Sequence, residues 1–361
     1  MKFWLSVLPI IFMLPFCAAG APLYTVTDIG TLGGSYTFGN GINNSGQITG
    51  ASSLPGDQVD HAFLYSKGVM TDLGGFGGNS SGQAINDSGQ IIGQFYASFN
   101  QTSHSFLYSN GIATDIGPIF GAAINTFGVV TGTAGSSYAS GQAITYKNGV
   151  VTYLGVYGNG AGINDSGQLL LGTYNPTNLG PVAHVFLYSQ GVLTDLGTLG
   201  GEFSRGMAIN NAGQVVGGSA TSGYDREHAF LYRNGVLTDL GTLPGGTNSL
   251  AFAINHAGQI TGRSDTALEP NHAFLYSNGV MTDLNADIDP ALGILLLEGT
   301  GINDAGQIIA DGVPVNTFQS HTYLLTPISS VPEPSAFALL GAGLGAVYLG
   351  RKFNRYQLRV A

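Results

Sequence analysis

The sequence predicts an all-β chain in which about seven four-stranded blades close into a ring, and three observations predict it. An Ile-Asn-x-x-Gly-Gln phrase recurs at Ile42–Gln47, Ile85–Gln90, Ile163–Gln168, Ile209–Gln214, Ile254–Gln259 and Ile302–Gln307, with a worn copy at Ile124–Val129. Successive copies start 43, 39, 39, 46, 45 and 48 residues apart, the length of one supersecondary block that buries its apolar face only against neighbours. The two ends of the array are each incomplete: the first copy opens with only the strand around Tyr24–Gly30, and the last finishes at His321–Thr326 without one. Pairing them would complete a blade and leave no long sheet edge exposed. The architecture so specified is a β-propeller spanning 21–326; an open β-solenoid is the competing array, and it calls for shorter periods and distinct capping units.

Each blade follows from local chemistry. In the copy around His272–Ser277, Phe274 and Tyr276 alternate along an extended run, Asn278-Gly279 tolerates positive φ, and Val280–Leu284 resumes the strand, which makes a hairpin. Gln83–Gly93 is a second hairpin, its Asn86-Asp87-Ser88-Gly89 turn joining Ala84-Ile85 to Ile91-Ile92. Glycine-rich crossings such as Leu196–Gly201 connect the hairpins. With 57 glycines and only 9% charged residues the chain suits many short strands, not long helices.

The termini are expected to be targeting segments. Lys2, the apolar run Phe3–Cys17 and the small residues after it read as a signal peptide over 1–20, cleaved after Ala19 or Gly20. Cys17 is the only cysteine and leaves with it, so the exported body has no disulfide or thiol chemistry. Of the 11 Lys and Arg, only Lys67, Lys147, Arg205, Arg226, Arg233 and Arg263 lie between 22 and 330, against 20 of the 21 acids, a net charge of about −14. Phosphate recognition draws on Lys and Arg, so nucleic acid is excluded as a partner.

The recurring His61, His104, His184, His228, His272 and His321 would form a ring. Equivalent positions on separate blades lie too far apart for one metal ion, which needs three or four ligands at about 2 Å. The expected partners are Asp28, Asp72, Asp115, Asp195, Asp239 and Asp283, in buried pairs that specify register. The Asn-containing turns echo a calcium loop, but copies such as Asn43-Asn44 and Asn255-His256-Ala257 lack its oxygens, so turn capping is expected instead. No catalytic residue, metal or cofactor is expected. Differences between copies concentrate in the polar loop before each His phrase, where Phe95, Tyr96, Phe99, Tyr138, Tyr174, Tyr224 and Phe318 are candidates for stacking on sugar rings.

The phrases His-Ala-Phe-Leu-Tyr at His61–Tyr65, His228–Tyr232 and His272–Tyr276, with Thr-Asp-Leu-Gly-Thr-Leu at Thr194–Leu199, resemble the HAF repeats of bacterial extracellular proteins over about residues 24–326. Copy three departs, with Gln142 at the His position and Tyr153 at the Asp position. The end of the chain resembles a PEP-CTERM sorting tail. A linker over 327–335 carries Val331-Pro332-Glu333-Pro334, held extended by its prolines; an apolar segment over 336–350 is expected as a transmembrane helix; a basic cytoplasmic tail over 351–361 carries Arg351, Lys352 and Arg355. Fifteen residues at about 1.5 Å each fall short of a core of about 30 Å, so the flanking cations would snorkel. The resemblance implies cleavage by an exosortase after a transient stay in the inner membrane. It further implies release to the cell surface or extracellular matrix of a Gram-negative bacterium that makes extracellular polysaccharide. The sequence-level expectation is therefore an exported, non-enzymatic, biofilm-associated repeat protein. The alternative is a propeller that binds, or with less support cleaves, extracellular polysaccharide.

Overall fold

The computed structural model describes residues 23–96, 103–135, 141–174, 183–222, 226–269, 271–317 and 319–328; the side chains of Thr173 and Tyr174 are not among them. The signal peptide, the sorting motif Val331–Pro334, the expected membrane helix 336–350 and the basic tail lie outside the described residues, as do Phe99, Tyr138, Tyr224 and Phe318.

Alternating Val, Ile, Thr and Phe runs separated by Asn-Gly and Gly-rich turns fold into seven four-stranded sheets. Blade 1 comprises Thr37–Ile42, Ile48–Ser53, Asp60–Ser66 and Val69–Asp72, paired in that order. Blades 2 to 6 repeat the plan from Ser80, Ile119, Asn159, Ser204 and Ser249. The worn copy is a complete blade, Ile119–Ile124, Val130–Ala134, Gln142–Lys147 and Val150–Tyr157. Blade 7 takes Ile294–Ile302, Ile308–Pro314 and His321–Pro327 from the end of the chain and its outer strand, Tyr24–Asp28, from the beginning. The ring is therefore closed by both termini, as the incomplete end copies require. Two short 3-10 turns, Leu284–Ala286 and Pro290–Leu292, precede blade 7. No helix among the described residues is long and apolar enough to cross a membrane.

The innermost strands touch one another around the whole ring, each against the next and Thr37–Ile42 against Ile294–Ile302. Because strands within a blade are antiparallel, the Ile-Asn turns and the Asn-Gly hairpins share one face, and the crossings and polar loops share the other. In the hairpins both turn residues take positive φ, for example Asn278 at 52° and Gly279 at 85°, the type I′ geometry that matches strand twist.

The core lies between blades. Fully buried Phe63, Phe106, Phe230 and Phe274 come from the His-x-Phe strands, each contributing roughly 2–3 kcal/mol by leaving water. Between blades 5 and 6, Phe274 and Ile260 pack with Val216, Leu240, Leu243 and Ile254. The inner strand approaches its neighbour so closely that the position three before each repeat isoleucine is Gly39, Gly82, Gly121, Gly160, Gly206, Ala251 or Gly299; a Cβ at Gly82 would overlap the Thr49 hydroxyl, and one at Gly121 the Ile92 side chain. The propeller is one compact unit that ends at Thr326 and has its own core.

Candidate functional site

Two ends of the propeller axis differ in kind. At the turn end, Ile42, Ile85, Ile124, Ile163, Ile209, Ile254 and Ile302 line a cavity of about 260 Å³ together with the turn residues that follow them. The repeat asparagine does more than cap its own turn. Asn43 Oδ1 accepts from the Ser45 and Gln47 amides, while its Nδ2 donates to Gln47 Oε1 and to the Asn86 carbonyl of the next blade. Asn86, Asn125, Asn164, Asn210, Asn255 and Asn303 donate in the same way, the last back to the Asn43 carbonyl, at 2.9–3.3 Å. Seven side chains thus stitch seven blades in a cycle.

The residues after the asparagines add a second set of links at five of the seven blade junctions. The Asn44 amide donates to Asp87, the Thr126 amide to Asp165, the Asp165 amide to Asn211, the His256 amide to Asp304 and the Asp304 amide to Asn44. Burial pushes the Asp165 carboxyl up, but hydrogen bonds from the Thr126 amide and hydroxyl and from the Asn211 side chain outweigh it and hold the group below the usual carboxylate range. The acids at this end are spent on joining blades. Among the described residues no three His, Cys, Asp or Glu side chains are grouped to hold a metal ion.

The six histidines meet the six aspartates foreseen for them. His61 Nδ1 donates to Asp72 at 2.9 Å, and His104, His184, His228 and His272 reach Asp115, Asp195, Asp239 and Asp283 at 2.7–3.0 Å. The sixth pair, His321 with Asp28, joins the termini. The pairs are not buried as expected: the aspartate side chains are 26–46% exposed, because the outer strand faces solvent. Each aspartate also caps the crossing that follows, as Asp72 does for the Gly74 amide at 2.7 Å. Blade 3 replaces both partners together, so Tyr153 sits opposite Ile144 where Asp72 sits opposite Phe63.

Among the loop aromatics, the second strand of blade 2 runs on to Tyr96, so alternation sends Phe95 inward and Tyr96 outward. Phe95 is 4% exposed and stacks on Phe76 at 4.4 Å; it belongs to the blade core and offers no ring to a ligand. Tyr96 is 55% exposed beside a cleft of about 240 Å³ that Asp60, Asn79 and Gln94 also line. Tyr174 lies on the strand Leu169–Tyr174.

The loop end of the axis was not foreseen. Phe120 and Ala122, Asn159 and Ala161, and Arg205 and Met207, standing four and two residues before their repeat isoleucines, line a cavity of about 310 Å³ with Gln94 and Thr133. On blade 1 the equivalent Phe38 is 42% exposed and tilts against Tyr36 at 5.7 Å. The Tyr36 hydroxyl donates to Asp60 at 2.7 Å, and that bond, with slight burial and the nearby Asp60 and Asp57 charges, pushes its pKa up to about 12. Arg205 makes a two-pronged bond to Glu227 at 2.7 and 2.6 Å. Arg263 reaches Glu298 at 3.4 Å and lies over the Phe252 ring at 5.6 Å. The available signal was divergence between copies, since these positions vary while the isoleucine does not; alternation alone would have misplaced them, because a β-bulge separates them from the isoleucine in every blade.

Residues 330–352 match the PEP-CTERM protein-sorting motif. No curated protein matches the chain. Among solved structures, an oligogalacturonate lyase in complex with manganese is 12% identical, with 87% of this chain and 96% of that one covered at a TM-score of 0.56. The β-propeller domain of the Trilobed protease from Pyrococcus furiosus is 8% identical over 71% of this chain and 99% of that one, with a TM-score of 0.43. TolB from Acinetobacter baumannii is 11% identical over 74% and 76%, at 0.44. At such identities the likeness is one of fold alone. The chain carries a seven-bladed propeller and a C-terminal PEP-CTERM motif, and that motif implies export through an exosortase by way of a membrane-anchored intermediate.

Proposed function

We propose that this protein is an exported, non-enzymatic HAF-repeat propeller, processed by an exosortase-type peptidase and delivered to the cell surface or extracellular matrix of a Gram-negative bacterium as a structural, biofilm-associated component. The observation that carries the reading is the sorting motif at 330–352 placed after the last strand of a closed ring. The repeated His, Asp and Asn side chains are engaged in holding that ring, which supports a scaffold over a catalyst. Replacing Pro332, Glu333 and Pro334 by Ala tests the sorting step: membrane fractionation and intact mass should find the uncleaved protein in the inner membrane. Unchanged processing would overturn the proposal. A second reading, that the ring binds extracellular polysaccharide, is favoured by the mixed aromatic and amide lining at the loop end of its axis.

A further inference from the structure

We propose that the cleft between blades 1 and 2 on the loop face, lined by Asp60, Asn79, Gln94 and Tyr96, is a binding site for one neutral sugar ring of a polysaccharide. This rests on the second reading above and gives it a place and a charge class of ligand; Gln94 also lines the axis cavity, so the two lie side by side.

Two positions of the repeat meet in this cleft: the residue before the His phrase of one blade, and the residue that Tyr96 occupies on the second strand of the next. The first is acidic only in Asp60 and Glu227, the second aromatic only in Tyr96 and Tyr174. Carboxylate and aromatic ring therefore coincide at the junction of blades 1 and 2 alone. The equivalent cleft between blades 5 and 6 has the acid without the ring, since Asp265 stands at the Tyr96 position, and its Glu227 is already matched by Arg205 at 2.6 Å. Function on a repeat scaffold is sought where copies that share everything else diverge on one face.

The groups of the first cleft are held in place yet only half used. Asp60 Oδ1 accepts from the Tyr36 hydroxyl at 2.7 Å, and the Asp60 amide donates to Asn79 Oδ1 at 3.0 Å. The second Asp60 oxygen and Asn79 Nδ2 have no hydrogen-bond partner among the described residues, and Tyr96 on the same cleft is more than half exposed. That set suits a sugar: an aromatic ring covers the C–H face of a pyranose, a carboxylate oxygen accepts from its hydroxyls, and an amide donates back to them. The volume of about 240 Å³ is below the roughly 300–1,000 Å³ that encloses a drug-sized ligand, so the cleft takes one ring and the rest of a chain lies outside it. Charge narrows the class. The arginine ion pairs among the described residues, Arg205 with Glu227 and Arg263 with Glu298, leave Asp60 without a cation, and the body carries about −14. An acidic sugar is repelled by both, and a neutral one meets neither obstacle.

The test uses the full chain in a sugar-free detergent, titrated with laminarihexaose, cellohexaose, maltohexaose and dextran, and with polygalacturonate as the acidic comparison. Isothermal titration and saturation-transfer NMR should detect at least one neutral chain. Tyr96→Ala and Asp60→Asn should each weaken it about tenfold with the melting temperature held, while Tyr96→Phe, which keeps the ring, should bind like the parent. Should Asp60→Asn lower the melting temperature through its bond to Tyr36, the Tyr96 pair of variants, at an exposed side chain, still decides. Asn271→Ala, in the equivalent cleft between blades 5 and 6, should leave binding unchanged. A preference for polygalacturonate overturns the proposal, as does neutral-chain binding that Tyr96→Ala and Asp60→Asn both spare; the latter keeps the polysaccharide reading but moves the site. Absence of any binding at about 10 mM sugar overturns both this site and the polysaccharide reading, while the sorting proposal stands on its own test.

Discussion

His321 Nδ1 lies 2.7 Å from Asp28 Oδ2, a contact between residues 293 positions apart that reproduces the contact made by His61 and Asp72, 11 positions apart. The ring treats its two ends as one more repeat. Around the same seam, Tyr24 and Ile29 are buried, and the Leu23 and Tyr24 amides donate to the Asp287 carbonyl.

Closure can be measured against a single pair. His321→Ala, like His228→Ala, removes one half-exposed hydrogen bond and should cost about 1 kcal/mol in urea unfolding. Deleting residues 23–29 removes two buried side chains at roughly 2–3 kcal/mol each and bares the edge of His321–Pro327. That deletion should lower the midpoint far more and broaden the transition.

The asparagine cycle should be costlier to break. Asn210 is buried, accepts from the Ala212 and Gln214 amides, and donates to Gln214 Oε1 and the Asn255 carbonyl. Asn210→Ala should destabilise by about 3 kcal/mol, since it strands buried groups as well as removing bonds. Asn210→Asp should be at least as damaging at neutral pH, because it turns an oxygen toward two acceptors.

Asp311 gives the seam a pH dependence. It is 5% exposed, and burial pushes its carboxyl up to about 7 despite hydrogen bonds from the Thr322 hydroxyl and the Gly39 amide, with Glu298 adding to the rise. A carboxyl raised in the folded state stabilises fully below its unfolded value near 4, and that contribution is lost as pH climbs toward 7. Asp311→Asn has no such loss. Its advantage over the parent protein in melting temperature should therefore grow between pH 4 and pH 7 and level off above; a constant difference across that range would refute the assignment.

The hairpins contain an avoidable strain. Gln190 adopts φ 50°, in the position where three other blades with the same two-residue turn place asparagine at 52–53° and a fourth at 49°. Gln190→Asn should raise stability by roughly 0.5–1 kcal/mol, read as an increase in denaturation midpoint without a change in slope.

Much of this was legible in the sequence, and the reasons are physical. A hairpin is a local event, so Asn278-Gly279 between two alternating runs announces it; the incomplete copies at Tyr24–Gly30 and His321–Thr326 announced the shared blade. The His–Asp pairing followed from both letters recurring at constant separation. Their exposure did not, because it depends on the outer strand having no further neighbour. Phe95 was misread as a loop residue since the strand continues past Gly93, and burial there is decided by Phe76, which arrives from the preceding crossing. Least legible was the loop end of the axis: Phe120, Asn159 and Arg205 come from three consecutive blades, and only the packing of one blade on the next brings them around one cavity.

The shared blade also has a consequence in time. A polypeptide is made from its N-terminus, so Tyr24–Asp28 is synthesised before every other strand of the ring and its partner His321–Pro327 after them. The ring has no complete form until the final strand exists, and the sorting motif at 330–352 is made only after that strand. A chain terminated before His321 would lack both the closing strand and the sorting motif. The order of the sequence thus works as a completeness check: the sorting motif is written after the strand that finishes the ring.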